Sequence, residues 1–208
     1  MTKLLTTILI ILSTNLFAQE QLAKDILDKL SATTKSYKNI TVGFNFIFEN
    51  KSQNINEIQK GILVLQEEMF RLEMAEQIII NNGESQWIYL SDINEVQIMD
   101  NDPEEDIMSP NKLFSIYEKG YNYNYIGTDS ENGKRLEIID LFPIKSGAFI
   151  KVTLAIDAAK NQLHKITIFD KNGGTYSYLV NTFKSNTIVS PFTFNTDEYK
   201  GVEIIDLR

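Results

Sequence analysis

Hydrophobic positions along the chain change period twice, and the changes mark its elements. In residues 22–30, Leu22, Ile26 and Leu30 recur every four positions with Ala23 and Leu27 beside them, which predicts a helix with one apolar face. Asp25 and Lys29 supply an i,i+4 pair on its polar side. From Val42 the pattern alternates. Val42, Phe44, Phe46 and Phe48 fall on one side of a strand and Gly43, Asn45 and Ile47 on the other. Strand-like runs follow at 61–65, 69–74, 77–80, 86–90 and 95–99, and then at 121–127, 135–142, 149–156, 162–170, 176–184 and 202–207. Asn82-Gly83, Ser91-Asp92 with Asn94, Asn132-Gly133 and residues 170–174 provide the turns between them. So many short strands at regular spacing predict a large antiparallel sheet.

A second helix interrupts the strands. Ser109 suits its N-cap, Pro110 its first position and Gly120 its stop, with Leu113, Phe114, Ile116 and Tyr117 as its apolar residues. Such a helix either plugs one end of a barrel or lids an apolar cavity, and periodicity does not separate the two.

At the N-terminus, Lys3 precedes an apolar run over 4–12, and the small Ala18 precedes Gln19-Glu20. This is the order of a secretory signal: a positive end, a short apolar core and a small residue at the cut. Polar residues at 6, 7, 13, 14 and 15 leave the stretch short of the roughly 20 apolar residues of a spanning helix. The expectation is a signal peptide over residues 1–18, cleaved after Ala18, and one domain over residues 19–208.

There is no cysteine, so disulfides, thiol catalysis and a lipidated N-terminal cysteine are excluded. Net charge is −8, which argues against a nucleic-acid partner, since phosphate binding needs clustered Lys and Arg. A single histidine, His164, sits within a strand pattern, reads as solvent-facing, and leaves no histidine pair for a metal. The acidic run 100–106 lacks the spacing and Gly of a calcium loop and reads as solvated. No Gly-x-Ser-x-Gly elbow is present. Neither a catalytic residue nor a cofactor is expected.

In order, the pieces are an amphipathic helix, the Phe44–Phe48 strand, Gly61-Ile62-Leu63-Val64-Leu65 leading into Met69-Phe70-Arg71-Leu72, and Ile78-Ile79-Ile80-Asn81-Asn82-Gly83 before Trp87-Ile88-Tyr89. Ser109-Pro110 then opens the Leu113-Phe114 segment, and Phe192-Thr193-Phe194 precedes Gly201-Val202-Glu203-Ile204-Ile205-Asp206. This succession resembles the LolA-like outer-membrane lipoprotein carriers. The resemblance implies a mainly β fold: a strongly curved antiparallel sheet, an unclosed barrel, with lid helices over a hydrophobic cavity. It implies a periplasmic carrier, not an enzyme. Such a carrier binds the acyl chains of lipid-modified proteins, docks transiently on an inner-membrane release machinery and an outer-membrane acceptor, and works as a monomer. The expected ligand-binding residues are Phe44, Phe46, Phe48, Leu63, Leu65, Phe70, Leu72, Met74, Ile79, Leu113, Phe114 and Ile116. A carrier or sensor of another hydrophobic ligand, a lipocalin-like binding module, and a non-enzymatic structural exported β-protein are the alternatives; lipocalin-like barrels usually show Gly-x-Trp in the first strand, whereas Trp87 lies mid-chain.

The best-known members carry an Arg-Pro pair, associated with lid closure, just before the strand that here begins at Met69. This chain has Glu67-Glu68 there. Arg71 alternates with Phe70 and Leu72 and is expected to point away from the cavity.

Overall fold

A computed structural model describes residues 2–101, 110–145 and 147–208, with residues 2–18, 110 and 111 described by their backbone alone. The elements run α1 (Thr2–Lys35), β1 (Ile40–Asn50), β2 (Ile55–Gln66), β3 (Met69–Met74), β4 (Gln77–Asn81), β5 (Ser85–Leu90) and β6 (Glu95–Asp100). They continue with α2 (Pro110–Leu113), β7 (Tyr121–Glu131), β8 (Lys134–Pro143), β9 (Phe149–Asp157), β10 (Gln162–Asp170), β11 (Gly174–Ser185) and β12 (Glu203–Asp206). No helix among the described residues is long and apolar enough to cross a membrane.

All 12 strands form one sheet in the order β12-β6-β5-β4-β3-β2-β1-β11-β10-β9-β8-β7. Two meanders, β1–β6 and β7–β11, are joined where β1 pairs with β11, so that Phe46 lies opposite Gln59 on one side and Tyr178 on the other. The end strands β12 and β7 do not pair with each other, and the barrel stays unclosed. Turn chemistry sets the registers. Asn132 and Gly133 both adopt positive φ (51° and 76°), the backbone of the tight two-residue turn joining β7 to β8.

One pairing departs from the antiparallel expectation: β12 runs parallel to β6, with Glu203 opposite Glu95. The cause is the long crossover over residues 186–202, which leaves β11 in the middle of the sheet and returns at its edge in the direction of β6. On the way it packs against the outer face of the sheet. Tyr89, Phe194 and Tyr199 cluster there with centroids 4.4–5.6 Å apart, Phe194 stacked on Tyr199, on the face that carries buried Ile80 and Val96.

The described part of α1 lies on β7 and β10 and buries Ala23, Leu27 and Leu30, one stripe at i, i+4 and i+7. Leu22 is a correction to the expected stripe, being 44% exposed at its margin. The expected Asp25–Lys29 pair gives way to Gln21–Asp25 (2.7 Å) and Lys24–Asp28 (2.5 Å).

The helix expected up to Gly120 is shorter. After Leu113 the chain continues in tight turns, with Ser115 N–H donating to Lys112 O (3.1 Å) and Glu118 N–H to Ser115 O (2.9 Å). These i to i+3 bonds still bring Leu113, Ile116 and Tyr117 into the core. Gly120 ends the segment at φ +87°. The expected cap Ser109 and the acidic positions 102–106 lie outside the described residues.

His164 is not solvent-facing: it is 5% exposed. A bulge between Leu163 and Lys165 breaks the alternation, so two consecutive side chains, Leu163 and His164, turn inward. The imidazole lies between Glu131 Oε2 (3.2 Å) and Lys134 Nζ (3.5 Å), which satisfies both ring nitrogens at a structural position.

Candidate functional site

Alternation along β1–β4 directs Val42, Phe44, Phe46, Leu63, Leu72, Met74 and Ile79 to the same face of the sheet, and the cross-strand pairs Val42–Leu63, Leu63–Leu72 and Leu72–Ile79 align them in rows. The β1–β11 pairing continues this face through Val180 and Tyr178 to Ile166 on β10. Leu113 and Phe114 roof it. Together these residues, with Gln59 and Gln77, line an open cavity of about 290 Å³, and none of the described lining residues carries a charged side chain.

Aromatic contacts hold the floor. Tyr178 packs against Phe44 (5.9 Å) and Phe46 (5.3 Å), and the Phe44 ring lies directly over Gly61, where an added Cβ would come within 2.4 Å of Phe44 Cζ. Glycine there lets an aromatic ring lie flat across the next strand.

A larger and more polar cavity of about 600 Å³ shares Ile79 and Phe114 with the first. Ile40, Leu65, Phe70 and Ile88 form its apolar side; Lys35, Lys38, Glu67, Glu68, Asp100 and Lys112 rim it. Apolar and charged walls thus follow each other across Phe114.

The structure therefore brings Phe44, Phe46, Leu63, Leu72, Met74, Ile79, Leu113 and Phe114 of the expected residues around one cavity, and Leu65 and Phe70 around its neighbour. Phe48 and Ile116 line neither. Phe48 stacks on Tyr176 (4.9 Å) at the far end of β1, and Ile116, three residues after Leu113 in a tight turn, points into the core under α1. Val42 was legible in the same alternation as Phe44. Ile166, Tyr178 and Val180 were not, because their place follows from the β1–β11 pairing.

Arg71 points to the outer face. Its Nη2 donates to the carbonyls of Pro191 (3.2 Å) and Thr193 (3.3 Å) and so fastens the C-terminal crossover to β3. The Glu67-Glu68 turn between β2 and β3 holds Glu67 at φ 54°, where every other described positive-φ residue is Asn or Gly. A left-handed backbone costs such a residue roughly 1–2 kcal/mol.

The roof is tied to α1 through Glu118, which accepts hydrogen bonds from Lys35 Nζ (2.7 Å) and Ser31 Oγ (2.7 Å). Burial alone would raise the Glu118 carboxyl, but these bonds and the charges of Lys35 and Lys119 hold it below its ordinary value. Beside it, burial pushes the Tyr117 hydroxyl up to about 12. A carboxyl with a depressed folded pKa stabilises the fold above its unfolded value, and that contribution is lost as pH falls through the folded one. Glu118→Gln is thus expected to lower stability by up to about 1 kcal/mol near neutral pH. In melting curves recorded at successively lower pH, the difference from the parent protein should close below about pH 4; a gap that persists at pH 2 would show that the ion pair is not its source.

Comparison with known proteins agrees with this fold. Residues 35–197 match the family described as outer membrane lipoprotein carrier protein LolA. An outer-membrane lipoprotein carrier protein of Legionella pneumophila is 23% identical over 213 residues, covering 99% of each chain. An uncharacterized conserved protein of Thermus thermophilus shares the fold at a TM-score of 0.58, with 13% identity over 88% of this chain and 98% of that one. The lipoprotein LppX of Mycobacterium tuberculosis does so at 0.50, with 13% identity over 80% of this chain and 97% of that one. The uncharged cavity lies in a chain that belongs to the LolA family of outer membrane lipoprotein carrier proteins.

Proposed function

We propose that this chain is an exported carrier that buries the acyl chains of lipoproteins in the cavity under Phe114 and shuttles them across the periplasm from the inner to the outer membrane. The observation that carries the reading is the uncharged cavity between the sheet and the Leu113-Phe114 roof. Each methylene removed from water is worth about 0.8 kcal/mol, so acyl chains can be held without covalent chemistry and released without catalysis. Its 290 Å³ stands at the lower edge of the roughly 300–1,000 Å³ of ligand pockets. Holding more than one chain requires the roof to move, and Phe114, which borders both cavities, is the side chain whose displacement would join them. In this reading residues 1–18 are removed after Ala18, and residues 19–208 act as a monomer that docks in turn on a release machinery and an acceptor.

Native mass spectrometry of the protein taken from the periplasm of its host tests the proposal. The expected result is a complex of one chain with one acylated polypeptide, lost in Leu72→Glu, which places a carboxylate among the cavity residues, while melting shows that the variant remains folded. Protein that carries no acylated polypeptide while lipoproteins are abundant would overturn it and favour a purely structural role.

A further inference from the structure

Among the residues around the apolar cavity, Gln59 and Gln77 are the two with side-chain amides. Both are half-buried, and neither amide hydrogen-bonds to another described residue. Their position is specific. Gly61 pairs with Met74, Leu72 with Ile79, and the β3–β4 turn then brings Gln77 next to Met74; Gln59 lies two residues before Gly61 on the same face of β2. The amides therefore flank Met74, four strand residues or roughly 13 Å from the level of Phe70, which borders the larger cavity. One end of a largely apolar cavity carries neutral side-chain amides with no partner among the described residues.

Resting on the carrier reading above, we propose that Gln59 and Gln77 bind the ester and amide carbonyls that link acyl chains to a lipoprotein's lipidated terminus. The chains then run toward Leu113 and Phe114, and the cargo polypeptide leaves past the β3–β4 hairpin. The chemistry selects for neutral linkages. An amide N–H₂ donates to a neutral carbonyl whose desolvation costs little, whereas a fatty-acid carboxylate drawn to the same place gains those amide bonds but meets no cation in the described lining to offset the loss of its hydration.

The test uses residues 19–208, a triacylated lipopeptide, palmitate and phosphatidylglycerol as competing ligands, and an environment-sensitive apolar dye that reports the cavity itself. The parent protein is expected to bind the lipopeptide, and phosphatidylglycerol with its own acyl esters, well above palmitate. Gln59→Leu/Gln77→Leu should lower lipopeptide affinity roughly tenfold or more, the loss of two hydrogen bonds, and leave dye affinity unchanged or higher. The single variant Gln77→Met should show part of the same loss. Unchanged lipopeptide affinity in the double variant overturns the assignment, as does palmitate competing as well as the lipopeptide. A parent protein that binds dye but no lipopeptide instead overturns the carrier reading on which the assignment rests.

Discussion

Leu154→Ala is expected to lower the free energy of unfolding by about 2–5 kcal/mol, the range for deleting a leucine side chain from a packed core. Leu154 on β9 is 0% exposed and lies between Ile139 on β8 and Ile166 on β10, which are themselves buried. This row belongs to the cluster that receives Ala23, Leu27 and Leu30 of α1 and Leu113, Ile116 and Tyr117 of the roof. Strands on one side and helix on the other restrict collapse into the void, which favours the upper part of the range. Ile166 connects the row to the cavity wall, so dye affinity should also change. Ile150, four residues earlier on the same strand and 54% exposed, supplies the control: Ile150→Ala should stay within about 0.5 kcal/mol. Urea unfolding of both variants decides the matter, and a Leu154→Ala cost no larger than that of Ile150→Ala would mean that the two residues are not placed as described.

The strands were legible because alternation has a period of two and turns have their own chemistry. Phe44 and Phe46 share a face for the first reason, and Asn132-Gly133 ends β7 for the second. That reasoning also found the β1–β4 half of the cavity, since each hairpin register follows from its short turn. The other half rests on the pairing of β1 with β11, in which Phe44 lies opposite Val180. Local pattern carries no information about partners so far apart. Bulges defeated the pattern in another way: one extra residue at Leu163–Lys165 was enough to move His164 from the expected surface into the interior. The parallel β12 has a third cause, the path of a crossover rather than anything within residues 203–206. Local rules thus placed the side chains on one hairpin wall, while topology decided what faces that wall.

Gly61→Ala tests that wall most directly, because the consequence of one methyl group can be stated in advance. A Cβ at this position would come within 2.4 Å of Cζ and 2.8 Å of Cε1 of Phe44, far inside contact distance, so the ring has to move. It is hemmed in by Tyr178 at 5.9 Å on one side and faces the cavity on the other. Displacement into the cavity is therefore the open direction, and the substitution should cost about 1–3 kcal/mol as an overpacked core does. Acyl binding should weaken roughly tenfold as the ring takes the space of about two methylenes. Gly147→Ala, whose added Cβ meets nothing within 4 Å, is expected to be silent. The compensating pair Gly61→Ala/Phe44→Leu separates strain from a mere effect of the methyl group: leucine lacks the far edge of the ring, so the pair should recover most of the stability that the single change loses. Melting and lipopeptide binding on the same three proteins give the answer. If Gly61→Ala alone melts and binds like the parent protein, Phe44 does not lie across Gly61, and the floor of the cavity is built differently.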